Sequence, residues 1–239
     1  MTRSALITGG SSGIGLAIAA MLADEGYTLT LNGRRPEKLE AAAESLRERG
    51  ATVEAVAANL SSAEQAAALV AAHEARYGRL DVLVQSAGTG FYGQFADQPP
   101  KSLELEIGVN FRTPFLVLQS ALPMLLKAGA DHQKALVVNI SSYNGVHPAA
   151  KLASYSATKA ALNALTRAVQ AEVGERGVQV TALCPGYVDT PMSDYWSDRI
   201  PKDQMLRPED LAEAVRFLLR TSPACRVPEI VLARGNGEI

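Results

Sequence analysis

Short apolar runs alternate along the chain with longer stretches in which apolar residues recur at helical spacing. The runs "SALIT" (4–8), "TLTLN" (28–32), "TVEAV" (52–56), "DVLVQ" (81–85), "ALVVNI" (135–140), "VQVTALC" (178–184) and "EIVLA" (229–233) each predict a buried or half-buried strand. Between them the pattern predicts helices near 14–25, 36–49, 62–77, 103–128, 156–175 and 208–221, with Pro36 and Pro208 where a first helical turn tolerates proline. In the fifth helix Leu162, Leu165, Val169 and Val173 form one inward stripe, and Tyr155 stands at or just before its first turn. Such alternation implies an α/β fold, a parallel sheet with helices on both faces. No repeat, low-complexity tract or proline-rich linker divides the chain, so residues 1–239 read as a single domain. The segment 186–207, "GYVDTPMSDYWSDRIPKDQMLR", is the longest without clear periodicity and reads as a lid or binding loop.

Composition narrows the partners. With 47% hydrophobic and 20% charged residues the chain is ordinary globular protein, and a formal net charge of −2 without a long basic run offers no electrostatic basis for binding nucleic acid or an anionic membrane. Small-molecule partners remain. Cys184 and Cys225 lack metal-ligand spacing, and Cys184 lies in an apolar run, so reduced thiols, a cytoplasmic location and no metal site are expected. The opening "MTRSALITGG" is too short and too soon interrupted by glycines for a signal peptide, and no apolar run approaches the roughly 20 residues of a membrane span.

The first predicted strand runs into "TGGSSGIG" and then into a helix, placing Gly9, Gly13 and Gly15 at a strand-to-helix turn. Glycine permits a tight turn and close approach of a ligand, and free N–H groups at the helix start can face a diphosphate. A nucleotide cofactor fits there, although the spacing G-x-x-x-G-x-G differs from the usual G-x-G-x-x-G. About 20 residues on, where many dinucleotide sites carry an acid for the ribose 2′-hydroxyl, this chain has Asn32 and then Arg34 and Arg35. A guanidinium binds a 2′-phosphate that a carboxylate would repel, so NADP(H) is favoured over NAD(H).

In "YSATK" Tyr155 and Lys159 are four positions apart and share a helix face. A phenol, with an ordinary pKa near about 10, becomes a proton shuttle at neutral pH only if a nearby cation stabilises the phenolate. Ser142 follows a predicted strand directly, which puts its hydroxyl at the carboxyl edge of the sheet, where open α/β sheets bind ligands. Asn110 sits inside the otherwise apolar "IGVNFRTPFLVL", where a buried amide needs partners.

Taken in order, "TGGSSGIG" at 8–15, "VN" at 109–110, "NISS" at 139–142, "YSATK" at 155–159 and "PGYVDT" at 185–190 make the chain resemble the short-chain dehydrogenase/reductase family over nearly its whole length. The resemblance implies a Rossmann-type, doubly wound sheet of seven strands in the order 3-2-1-4-5-6-7. It implies that Tyr155 donates or accepts the proton, that Lys159 lowers its pKa and holds the nicotinamide ribose, that Ser142 binds the substrate oxygen, and that Asn110 supports a water-linked proton path to Lys159. By the same resemblance Gly9, Ser11, Ser12, Gly13, Ile14 and Gly15 line the phosphates and ribose. Asn59, Leu60, Ala87 and Gly88 belong to the cofactor site, Asn59 offering an amide to adenine, and Pro185, Gly186, Val188 and Thr190 surround the nicotinamide. Gln85 and Ser86 replace the family's usual asparagines, which affects support on the adenine side, and the chain lacks the family's frequent D-G-G ending.

The activity these expectations describe is an NADP(H)-dependent hydride transfer between nicotinamide and a carbonyl or secondary alcohol, with Tyr155 as general acid/base. Phe91, Tyr92, Phe95, Tyr143, Tyr155, Tyr187, Tyr195 and Trp196 fall in or beside segments flanking the nicotinamide, suggesting an apolar pocket for a planar or lipophilic carbonyl. His147 lies near this rim and is given no catalytic role. Two alternatives stand beside the main reading: a reductase of carrier-linked 3-oxoacyl thioesters, which needs a basic docking surface near the pocket, and a non-catalytic NADPH-sensing regulator. The family's habit of pairing its long helices implies a homodimer or homotetramer.

Overall fold

Ala5 and Ile7 pack on one face of a central sheet and Leu6 on the other, and all three are fully buried. Burial on both faces with a period of two is what a parallel sheet held between helical layers requires. The computed structural model describes residues 2–132, 134–194, 199–235 and 237. Its strands are β1 (Ser4–Thr8), β2 (Thr28–Gly33), β3 (Val53–Ala57), β4 (Val82–Gln85), β5 (Ala135–Ile140), β6 (Val178–Pro185) and β7 (Glu229–Leu232). Every neighbouring pair is parallel, in the order β3-β2-β1-β4-β5-β6-β7.

The helices are α1 (Gly13–Asp24), α2 (Pro36–Arg47), α3 (Ala63–Tyr77), α4 (Pro100–Ile107), α5 (Thr113–His132), α6 (Ala153–Val173) and α7 (Pro208–Arg220). On one face α1, α2 and α7 bury Ile18, Leu22, Leu39, Leu46, Leu211 and Val215 against Ile7, Leu31 and Val84 of the sheet. On the other, α3 and α5 bury Leu69, Val70, Val117 and Leu125 against Leu6, Leu83 and Val137. Strand order reverses between β1 and β4, which opens a crevice at their carboxyl ends. The site lies there.

The seven strands and the strand order agree with the sequence reading, with ends shifted by a residue or so. The predicted helix 103–128 is interrupted: α4 and α5 are joined by a π-helical turn, Gly108–Arg112, with Asn110 buried inside it. The widened turn adds a residue and shifts the helical register without ending the helix, so the stretch still reads as one helix. Helix α6 begins at Ala153, so Tyr155 lies within its first turn. In the loop expected over 186–207, Val188 makes an isolated parallel bridge to Leu206, and a short 3-10 turn spans Lys202–Gln204. Tyr195 and Trp196 lie outside the described residues. Among the described residues no helix is long and apolar enough to cross a membrane, no group of His, Cys, Asp or Glu could hold a metal ion, and Cys184 and Cys225 are free thiols.

Polar groups fasten the sheet away from the crevice. His73 of α3 is fully buried; its Nε2–H donates to the carbonyl of Arg79 at 2.9 Å, and Thr30 Oγ1 donates to Nδ1 at 2.8 Å. Burial pushes its pKa down to about 4, against the carbonyl of Arg79 and the carboxylate of Asp81, which favour the charged form. Lys134, just before β5, donates from Nζ to the carbonyl of Leu218 at 2.6 Å and to Thr221 Oγ1 at 2.9 Å, covering the unpaired carboxyl end of α7.

Candidate active site

The glycine-rich turn is built by close contact. Gly9 and Gly13 have positive φ, +67° and +54°, and a Cβ on Gly9 would stand 2.7 Å from the backbone nitrogen of Ala87. A Cβ on Gly15 would stand 2.4 Å from the carbonyl oxygen of Gly9. Gly15 is therefore buried under the turn and does not line the crevice, contrary to expectation; its role is to let α1 pack against the end of β1. At the start of α1, Ser12 is extended and makes no side-chain cap, so the first amides of the helix have no capping oxygen from it. Those amides can serve an anion.

The crevice, with a volume of about 440 Å³, is lined by Gly9, Ser11, Ser12, Gly13 and Ile14 on one wall and by Asn59, Leu60, Ala87 and Gly88 on the next. Pro185, Gly186, Val188 and Thr190 line its far end. Arg34 and Arg35 also line it, are exposed, and form no ion pair among the described residues. An uncapped helix start and a turn that a Cβ would fill suit the phosphates of a dinucleotide, and the residues present fit a nicotinamide cofactor.

Ser142 and Tyr155 both line the inner end of the crevice, and the Ser142 hydroxyl accepts from the amide of Asn144 at 3.1 Å. The ring of Tyr155 lies against Gly90, where a Cβ would approach Cδ2 to 3.0 Å. Lys159 is buried one turn further along α6; its Nζ is 5.9 Å from the centre of the Tyr155 ring and donates to the carbonyl of Ile140 at 2.8 Å. Gly145 makes room for this helix, since a Cβ there would stand 2.9 Å from the carbonyl carbon of Lys159.

The electrostatics differ from the expectation of an acidified phenol. Burial raises the pKa of Tyr155; the nearby Ser142 hydroxyl opposes the rise, while Glu106, Tyr187 and Cys184 add to it. Burial also pushes Lys159 down to about 8, with Cys184 opposing. The ammonium meant to acidify Tyr155 is itself disfavoured by its own burial.

Asn110 is fully buried and does not line the crevice. Its Oδ1 accepts from the amide of Thr89 at 2.9 Å, and its Nδ2 donates to the carbonyl of Thr89 at 2.8 Å and to Thr158 Oγ1 at 3.1 Å. It thus joins the loop following Gly88 to the turn of α6 that carries Lys159. Gln85, at the QSAG departure, has no part in an adenine wall: it is buried and donates from Nε2 to Asn139 Oδ1 at 3.0 Å, and Asn139 Nδ2 donates to Thr166 Oγ1 at 2.8 Å. Ser86, in contrast, lines the crevice.

Of the aromatic residues, Phe91, Tyr92, Tyr143, Tyr155 and Tyr187 line the crevice with Met192, whereas Phe95 is 80% exposed and lies outside it. His147 lies against Tyr143 with ring centres 4.7 Å apart and planes tilted by 37°. One group beside the site escaped the sequence reading. Glu106 of α4 is 1% exposed, accepts from the amide of Phe91 at 2.7 Å and from Gln98 Nε2 at 3.2 Å, and is hydrogen-bonded by Ser154. Its only signal in the sequence is an acid four positions before Asn110 in an apolar stretch.

A dinucleotide crevice at the strand-order reversal, with a tyrosine, a serine and a buried lysine at its inner end, defines a Rossmann-type oxidoreductase. The family profile for short chain dehydrogenase matches residues 3–200, and the chain belongs to the short-chain dehydrogenase/reductase family. It is 33% identical over 230 residues to an uncharacterized oxidoreductase of Staphylococcus epidermidis, covering 96% of each chain. Among solved structures it is similar to an alcohol dehydrogenase from the archaeon Thermococcus sibiricus complexed with 5-hydroxy-NADP, at a TM-score of 0.86 and 32% identity over 97% of this chain and 96% of that one. A variant of actinorhodin polyketide ketoreductase with NADPH gives a TM-score of 0.88 and 31% identity over 100% and 98%. The 3-ketoacyl-(acyl-carrier-protein) reductase of Brucella melitensis, complexed with NADH, gives 0.86 and 30% over 96% of each. The protein is thus a nicotinamide-dependent oxidoreductase of this family.

Proposed function

We propose that the protein is an NADP(H)-dependent reductase of an apolar ketone or aldehyde, with residues 1–239 acting as one catalytic domain and 186–207 as its substrate loop. The observation that carries this reading is the meeting of Tyr155, Ser142 and Lys159 at the inner end of the same crevice that the glycine turn opens. When bound, the nicotinamide cofactor supplies or accepts the hydride. Tyr155, protonated in the buried site, then gives its hydroxyl proton to the carbonyl oxygen. Ser142, which lines the same end of the crevice, donates to the same oxygen and stabilises developing negative charge.

Lys159 holds the ribose side of the site and, when protonated, favours the phenolate that Tyr155 leaves behind. Asn110 fixes Thr89 and the turn of α6 bearing Lys159. Ser11, Ser12, Gly13 and Ile14 hold the phosphates, while Arg34 and Arg35, without an ion pair among the described residues, receive the 2′-phosphate. Phe91, Tyr92, Tyr143, Tyr187 and Met192 give the substrate an apolar wall. Exposed Leu105 and Phe115, on α4 and α5, support assembly as a homodimer or homotetramer.

A carrier-linked 3-oxoacyl thioester is the second reading. It is favoured by the reductases of that type among similar structures and by Lys151 and Arg199, exposed cations within 5.6 and 5.8 Å of the centre of the Tyr92 ring at the crevice mouth. The deciding experiment is Tyr155→Phe assayed with a panel of ketones, aldehydes and 3-oxoacyl thioesters and NADPH. Turnover should fall by about 10²- to 10⁴-fold while NADPH affinity stays within twofold; unimpaired turnover would remove Tyr155 from the chemistry.

A further inference from the structure

Helix α4 presents its residues the wrong way round for an amphipathic element. Leu103 and Leu105 are 40% and 49% exposed, and Glu106 is 1% exposed. Burying a carboxylate is costly unless it is well hydrogen-bonded, so an acid in this place must be held by definite partners. Three donors hold Glu106, and they come from two segments. The amide of Phe91 (2.7 Å) and Nε2 of Gln98 (3.2 Å) belong to the loop after β4, whose Gly90, Phe91 and Tyr92 line the substrate side of the crevice. The third is the hydroxyl of Ser154, the residue before Tyr155 in the first turn of α6. Gln98 and Ser154 are also hydrogen-bonded to each other.

Both carboxylate oxygens are used in this way, one on Phe91 and the other on Gln98 and Ser154. We infer that Glu106 is a positioning residue for the reaction: it locks the 89–98 loop to the first turn of α6, so that the wall of the substrate pocket and the placement of Tyr155 are fixed together. The inference rests on the proposed role of Tyr155. Gly90 shows the same coupling from the other side, since the loop backbone lies against the Tyr155 ring where a Cβ would come to 3.0 Å.

Its charge has a second effect. The groups facing Tyr155 are Lys159 on its own helix, Ser142 after β5, Cys184 of β6, Tyr187 beyond β6 and Glu106 of α4. Glu106 raises the phenol's pKa and so favours the protonated form that a reductase needs.

The test is Glu106→Gln, which keeps the volume and removes the charge, compared with wild type in steady-state reduction, in alcohol oxidation and in NADPH binding. The KM for the carbonyl should rise about tenfold, as for loss of a hydrogen bond to a charged group, with NADPH affinity within twofold. The pH at which reduction falls off, and at which oxidation rises, should move down, because the charge that raises the phenol's pKa is gone. A purely structural role would lower the amount of folded enzyme without moving either pH limb.

The exchange Glu106→Gln/Gln98→Glu restores a carboxylate facing an amide donor and should recover the KM to within threefold of wild type. If Glu106→Gln does not fold, Ser154→Ala removes one contact alone and should raise KM in the same direction by a smaller factor. Wild-type KM and pH limbs in Glu106→Gln, or wild-type KM in Ser154→Ala where that is the folded variant, overturn the inference. Should Tyr155→Phe abolish turnover while these variants behave as wild type, only the positioning role falls; should Tyr155→Phe remain active, the proposed function falls first.

Discussion

Lys159 reaches from α6 to the carbonyl oxygen of Ile140, the last residue of β5, at 2.8 Å. That single bond ties the helix carrying Tyr155 to the carboxyl edge of the sheet, yet the amine is only 3% exposed and its pKa is pushed down from 10.5 to about 8.

This burial predicts a trade between function and stability. Between about pH 8 and 10.5 the unfolded chain binds the lysine proton more tightly than the folded one, so stability rises with pH across that window and the full penalty is present below it. The penalty is on the order of 3 kcal/mol, offset by about 1 kcal/mol from the bond to Ile140. Lys159→Met should therefore be more stable than wild type at pH 7 by about 1–2 kcal/mol, lose the rise toward pH 10, and be inactive. Thermal melts at the two pH values, with an activity assay, check it.

Arg34 and Arg35 should discriminate between cofactors. Each guanidinium that contacts a 2′-phosphate contributes about 1.5–3 kcal/mol as a charge-assisted hydrogen bond. Replacing both with alanine should weaken NADPH binding by at least about tenfold and NADH by less than about threefold. Equal losses for the two cofactors, measured by titration calorimetry, would show that neither side chain reads the phosphate.

His73 should make the fold acid-sensitive well before ordinary carboxylates titrate. Its pKa is lowered from 6.5 to about 4, so the unfolded chain takes up a proton that the folded chain refuses, and stability present above pH 6.5 is lost as pH falls toward 4. The full effect is on the order of 3 kcal/mol. His73→Gln should flatten this limb in urea melts between pH 7 and pH 4, at a cost of about 1–2 kcal/mol at neutral pH from the bonds to Thr30 and Arg79. An unchanged acid limb would place the sensitivity elsewhere.

Lys134 should hold down the end of α7. Its Nζ takes the carbonyls of Leu218, Leu219 and Thr221, which the helix itself leaves unpaired. Lys134→Met should cost about 1–3 kcal/mol and speed amide exchange in the last turn of α7 before any other helix. Exchange measured by mass spectrometry would show whether the loss is local.

The alternation of strands and helices, the glycine turn and the tyrosine–lysine pair were all readable from the chain, because each depends on neighbours a few positions away. A buried parallel strand must be an apolar run, and a turn with positive φ at Gly9 and Gly13 calls for glycine. Strand order followed from the motifs taken together through the family they resemble. The reading went astray at Gly15 and Phe95. In each case residue type and region were right, but the direction of the side chain, or the space next to it, depends on segments distant in sequence.

Sequence alone determined the order of elements and the chemistry available at the carboxyl edge of the sheet, since local periodicity and backbone conformation are properties of adjacent residues. Tertiary structure decided how that chemistry is charged. A phenol raised rather than lowered, a lysine brought down to about 8 and an acid hidden behind both arise from desolvation and from partners on α4, β5 and the loop after β4. Those are pairings between distant segments, and only the folded chain brings them together.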